Sequence, residues 1–69
     1  MKLEDKIIRD ISKFENQINE TPQFLIINYD IYASLIKDKN NSVIVNNGKL
    51  FFNDLRIIRT YDTSYFFIC

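Results

Sequence analysis

Side chains able to do chemistry are few in this chain, and they fall into three sets. The first is Cys69, the single cysteine, in a chain with no histidine to activate it. A thiol without a base or a cationic neighbour is a poor nucleophile, so Cys69 reads as structural or incidental. The second set is carboxylates: Asp30 and Asp38 bracket one apolar stretch, and Asp54 and Asp62 bracket another. Paired acids do general acid–base work when burial separates their pKa values. All four fall at turns or helix ends, where aspartate serves local hydrogen bonds, and no catalytic residue is expected among them. The third set is Lys49, Arg56 and Arg59, interleaved with Phe51, Phe52, Tyr61, Tyr65, Phe66 and Phe67. Aromatic side chains on a sheet can stack bases while cations hold the backbone, so a nucleic-acid-binding module using Lys49, Arg56 and Arg59, with Tyr61, is the alternative function. Two features weigh against it. Arg56 and Arg59 are three apart and point to opposite faces of a regular strand. The Gly-Phe core of the RNA-recognition signature is also absent. One glycine excludes a Gly-rich phosphate loop, and no EF-hand or zinc spacing appears, so neither cofactor nor metal is expected.

The elements that must carry these residues follow from hydrophobic periodicity. Residues 3–19 read as a helix, with Leu3, Ile7, Ile11, Phe14 and Ile18 in one apolar stripe. Glu4 and Asp5 in its first turn suit the helix dipole. Asp5–Arg9 and Lys6–Asp10 are i,i+4 pairs, the first in the favourable acid-first order. The helix is expected to end before Pro22, which pushes its predecessor out of the α region. Gln23 to Ile27 is apolar on both faces and reads as a central strand. Asn28 or Asp30 caps a second helix to about Lys37, with Ile31, Tyr32, Leu35 and Ile36 on its buried side. Lys37 to Asn41 is a polar turn. Asn47-Gly48 between apolar runs predicts a two-residue type I′ hairpin, since both central positions need φ > 0. Strands are expected around Val43–Val45, Leu50–Phe52, Leu55–Ile58 and Tyr65–Cys69, the last three separated by turns at Asn53-Asp54 and Tyr61–Ser64. The result is a small single α+β domain spanning residues 1–69. Its order is α-β-α-β-β-β-β, with a mainly antiparallel sheet and helices packed on one face.

Composition bounds the function. A chain of 69 residues buries only about 60% of its unfolded surface and is marginal alone. Small domains compensate with disulfides, a metal or association. One cysteine and no histidine leave association, and ten aromatic side chains, four Tyr and six Phe, are many to hide in so small a sheet. A protein partner is therefore expected, either a second copy or a host protein. The candidate interface residues are Phe51, Tyr61, Tyr65 and Phe66, near a final strand that is either central or an edge open to pairing. Zero net charge argues against general affinity for nucleic acid or anionic membrane. No signal-peptide pattern opens the chain, and its longest apolar run is far short of a membrane span. The expected location is the cytoplasm, with Cys69 reduced.

Three stretches carry a family pattern: Thr21-Pro22-Gln23-Phe24-Leu25-Ile26-Ile27-Asn28, Tyr32-Ala33-Ser34-Leu35-Ile36-Lys37-Asp38 and Phe52-Asn53-Asp54-Leu55-Arg56-Ile57-Ile58. Together they resemble a segment of the tailed-phage major capsid protein, the fold shared with encapsulins. Asn53-Asp54 stands where that family usually has glycine, and the long hairpin and extended arm that build a shell have no counterpart. The resemblance implies a small phage- or prophage-encoded protein reusing the sheet-and-helix unit, and it carries over no catalytic residue. The expectation is a non-enzymatic accessory or host- or defence-protein-interacting factor, of inhibitor type, acting by protein binding.

Overall fold

Seven elements form along the chain in a computed structural model that describes residues 2–37 and 43–69. They are α1 (Leu3–Ile18), β1 (Phe24–Asn28), α2 (Tyr29–Ile36), β2 (Val43–Asn46), β3 (Lys49–Phe52), β4 (Leu55–Thr60) and β5 (Phe66–Ile68). The order α-β-α-β-β-β-β is the one that periodicity implies. Most of the polar turn expected after α2, with Asp38, lies outside the described residues.

α1 stops earlier than proline alone requires. Asn19 takes the left-handed conformation, φ 60°, and its N–H donates to the Glu15 carbonyl at 3.0 Å. Asparagine tolerates this geometry at a helix end better than most residues. Of the two i,i+4 pairs, Lys6–Asp10 closes at 3.2 Å, the base-first order. Asp5 and Arg9 form no ion pair with any described residue.

The apolar stripe of α1 docks over only part of its length. Ile7 is fully buried, and Leu3 and Ile11 pack against the core. Phe14 is half-buried outside that core, and Ile18 is 51% exposed. Position explains the difference. The C-terminal half of α1 meets only β5, the edge strand: Asp10, Lys13, Phe14 and Gln17 line an open cleft with Phe66, Phe67 and Ile68. These turns sit at the rim of the sheet and stay partly open. In α2, Tyr32 and Leu35 are buried and Ile31 is half-buried. Ile36, on the flank of that stripe, is 46% exposed rather than buried.

The five strands form one sheet in the order β2-β3-β4-β1-β5. β1 is internal, paired parallel to β4 and antiparallel to β5. β2–β3 and β3–β4 are antiparallel hairpins. Their turns are alike: Asn47 and Gly48 have φ 54° and 74°, and Asn53 and Asp54 have φ 47° and 68°. Two consecutive positive φ values match the right-handed twist of the flanking strands. β5 is an edge strand. Both helices pack on the same face of the sheet, where Ile7, Leu25, Ile27, Tyr32, Leu35, Phe52, Leu55 and Ile57 form the core. No helix among the described residues is long and apolar enough to cross a membrane.

Candidate interaction surface

With the helices on one side, strand alternation assigns the other face. Leu25 and Ile27 of β1 point into the core, so Phe24 and Ile26 point away. The registers align one row as Ile44, Phe51, Arg56, Phe24 and a second as Ile58, Ile26, Phe67. No helix covers this surface. Phe67 is 50% exposed and Ile44 58%, while Phe24, Ile26 and Phe51 are half-buried by their neighbours in the sheet. Alternation also brings Lys49 to this face, beside Arg56. The strand residues facing this way include these two cations and no carboxylate.

The four aromatic residues expected at an interface do not form one patch. Phe51 lies on the uncovered face. Phe66 lies on the helix face and packs against the core. Tyr65, beside it, contacts the Phe66 ring with centroids 4.6 Å apart. Tyr61 is 71% exposed in the β4–β5 connection and stacks on Tyr29 of α2, at 4.6 Å and 34° between planes. The uncovered face is instead built mainly from Phe24, Ile26, Ile44, Ile58 and Phe67. Sequence alone could not pick them out. In β1 both faces are apolar, so alternation offers no contrast between the side that meets the helices and the side that does not.

One side chain holds the aromatic connection in place. Asn28 ends β1 and caps α2, its Oδ1 accepting from the Asp30 N–H at 2.8 Å and the Ile31 N–H at 3.3 Å. Its Nδ2 donates to the Thr63 carbonyl at 2.9 Å. The Thr60 hydroxyl oxygen accepts the Asp62 N–H at 3.0 Å, and that of Thr63 accepts the Tyr65 N–H at 3.4 Å. These contacts order a connection that would otherwise be free to fray.

The three cations of the nucleic-acid reading are brought together despite their opposite facing. Arg56 is on the uncovered face. Arg59 is on the helix side, its guanidinium 5.5 Å from the Tyr29 ring centre and 5.3 Å from that of Tyr32. A cleft of about 230 Å³ between β3 and β4 is lined by Lys49, Arg56 and Arg59, with Tyr29 in its wall.

The carboxylates stay local. Asp30 is in the first turn of α2 and Asp54 is in the β3–β4 turn. Among the described residues no group of three or more His, Cys, Asp or Glu gathers around a point that would hold a metal ion. Cys69 is exposed, and its backbone extends the β1–β5 pairing: its carbonyl accepts from the Gln23 and Phe24 N–H groups, each at 2.9 Å. No protein-family model, curated protein or solved structure matches this chain.

Proposed function

We propose that this protein is a non-enzymatic protein-binding module that seats a partner on the uncovered face of its sheet. The observation that carries this reading is the face itself: two apolar rows, no covering helix, and Arg56 and Lys49 without a carboxylate among them. Contiguous apolar surface rimmed by polar groups is characteristic of interaction sites. Charge selects the occupant. β4 is the middle strand of five, so two copies packed face to face about a two-fold axis would bring their Arg56 side chains together. Desolvating like charges with no counter-charge is costly. A foreign protein whose apolar surface carries carboxylates avoids that cost, and we take it as the partner. The resemblance of residues 21–68 to the phage capsid segment supports a phage- or prophage-encoded factor acting on a host or defence protein in the host cytoplasm.

A photo-crosslinking residue at Phe67, with a second at Asn16 on the exposed face of α1 as the control, tests this, alongside light scattering over a concentration series with reductant. The expected result is a monomer whose Phe67 position crosslinks to a distinct, acidic-surfaced protein while the Asn16 position does not. A dimer crosslinked through Phe67 would refute the choice of a foreign partner. Crosslinks from Asn16 in place of Phe67 would refute the choice of face.

A further inference from the structure

We propose that the cleft between β3 and β4 binds the phosphate group of a nucleotide. The cleft arises because the two strands part. Their ladder joins only Phe51 to Arg56 and Phe52 to Leu55, although β3 begins at Lys49 and β4 continues to Thr60. A gap between strands is reached from both faces of a sheet. Arg56 and Arg59 can therefore serve one site although they point opposite ways, and Lys49 completes the set.

These cations have no internal answer. No carboxylate among the described residues lies within 4.0 Å of Lys49, Arg56 or Arg59. Three positive charges around one opening repel one another, and an anion relieves that repulsion. A phosphate monoester carries a charge of about −1.5 to −2 with three acceptor oxygens, which suits three cations better than a single carboxylate does. Arg59 is already positioned. Its planar group is held over the Tyr29 and Tyr32 rings, and cation–π contact uses the face of the guanidinium while leaving its N–H edge available. It donates no hydrogen bond to any described residue. At the mouth, Gly48 (φ 74°) has no atom within 4 Å of where a Cβ would sit, so a ligand can approach the backbone there.

The aromatic pair argues for a nucleotide over other phosphate esters. Tyr29 lines the cleft, and Tyr61 stacks on it with most of its own surface open to solvent. An exposed aromatic ring beside a phosphate site is a platform on which a base can stack. Zero net charge disfavours indiscriminate polyanion binding but not a local site, because salt screens charges beyond about 8 Å at physiological ionic strength. The cleft shares Lys49, Arg56 and Ile58 with the partner face, but the two readings fail separately: Arg59 and Tyr61 lie off the apolar rows, and Phe67 lies outside the cleft.

The test is an amide chemical-shift titration of the ¹⁵N-labelled full chain with inorganic phosphate, adenosine, adenosine monophosphate and a 5′-phosphorylated single-stranded oligonucleotide. The expected result is saturable shifts around Gly48 and Arg56–Arg59 with phosphate and with the monophosphate. The monophosphate also moves Tyr61 and binds more tightly, and adenosine leaves the cleft unmoved. Arg59→Gln and Lys49→Gln should each weaken the monophosphate by about tenfold or more, as loss of a charge-assisted hydrogen bond implies, while Lys13→Gln on α1 changes nothing. Lys49 is exposed at a hairpin, so its variant still decides the matter if Arg59→Gln fails to fold. Tighter binding of the oligonucleotide than of the monophosphate would assign the site to a strand end, and equal binding to the free nucleotide. No saturable shift at the cleft, or unchanged affinity in Lys49→Gln, overturns the proposal. A phosphoserine peptide binding as tightly as the monophosphate would overturn its assignment to nucleotides.

Discussion

Asn28 offers the sharpest test of how this small domain is held together, because one amide does two separable jobs. Its oxygen caps α2 through the Asp30 and Ile31 N–H groups, and its nitrogen ties α2 and β1 to the Thr63 carbonyl. Asn28→Ala removes both. Loss of a helix cap costs about 1 kcal/mol, within a range of about 0.5–2, and loss of a partly buried neutral hydrogen bond costs about 0.5–1.5 kcal/mol. Together they amount to about 1–3.5 kcal/mol. Asn28→Ser keeps an equivalent cap but cannot reach Thr63, so only the second cost, about 0.5–1.5 kcal/mol, remains. A domain of this size has about 3–10 kcal/mol in total, so either loss is measurable. In urea titrations followed by circular dichroism, with a slope of about 1 kcal/mol/M, the alanine variant should lower the midpoint by about 2 M and the serine variant by about 1 M. Amide exchange at Asp62 and Tyr65 should quicken in both, since both release the β4–β5 connection. If the serine variant were as damaging as the alanine variant, the cap would be contributing nothing. A loss below about 0.5 kcal/mol for Asn28→Ala would refute both roles.

Three other perturbations have clear expected outcomes. Phe52 is fully buried and Phe14 is half-buried outside the core. Phe52→Ala should therefore cost about 3–5 kcal/mol and Phe14→Ala about 1–2 kcal/mol, compared by urea denaturation; equal costs would mean that the end of α1 is docked. Gly48→Ala meets no atom, so its whole cost is the left-handed backbone, about 1–2 kcal/mol, less about 0.4–1 kcal/mol regained from a stiffer unfolded chain. A neutral result by the same assay would show that the hairpin tip can relax out of positive φ. Cys69 is exposed, so air oxidation should yield a reducible disulfide-linked dimer on non-reducing electrophoresis, absent in Cys69→Ser.

Local signals account for most of the elements. The stripe in α1, the cap at Asn28 and the Asn47-Gly48 hairpin each act over a few residues, and each is where its local rule places it. The signal weakened at the rim of the sheet. Phe14 and Ile18 sit on the apolar stripe as faithfully as Ile7, yet Phe14 meets only the edge strand β5 and Ile18 stays exposed. The interface aromatics show the same limit. Composition marked Tyr61 and Phe66 alike as aromatic side chains to be covered, yet Phe66 faces the helices while Tyr61 leans out on Tyr29.

By itself, then, the chain determined its helices, strands, turns and α+β class, because periodicity, capping and positive-φ turns are properties of neighbouring residues. Strand order was decided only by the fold. That β1 lies between β4 and β5, parallel to one and antiparallel to the other, depends on pairings between residues some thirty to forty positions apart. The same long-range pairing decides which face of β1 the helices cover, and so which apolar residues stay open. It also decides that β3 and β4 part beyond Arg56, gathering Lys49, Arg56 and Arg59 at one cleft. Strand alternation alone sets Arg56 and Arg59 on opposite faces; a gap in the ladder lets both reach the same space.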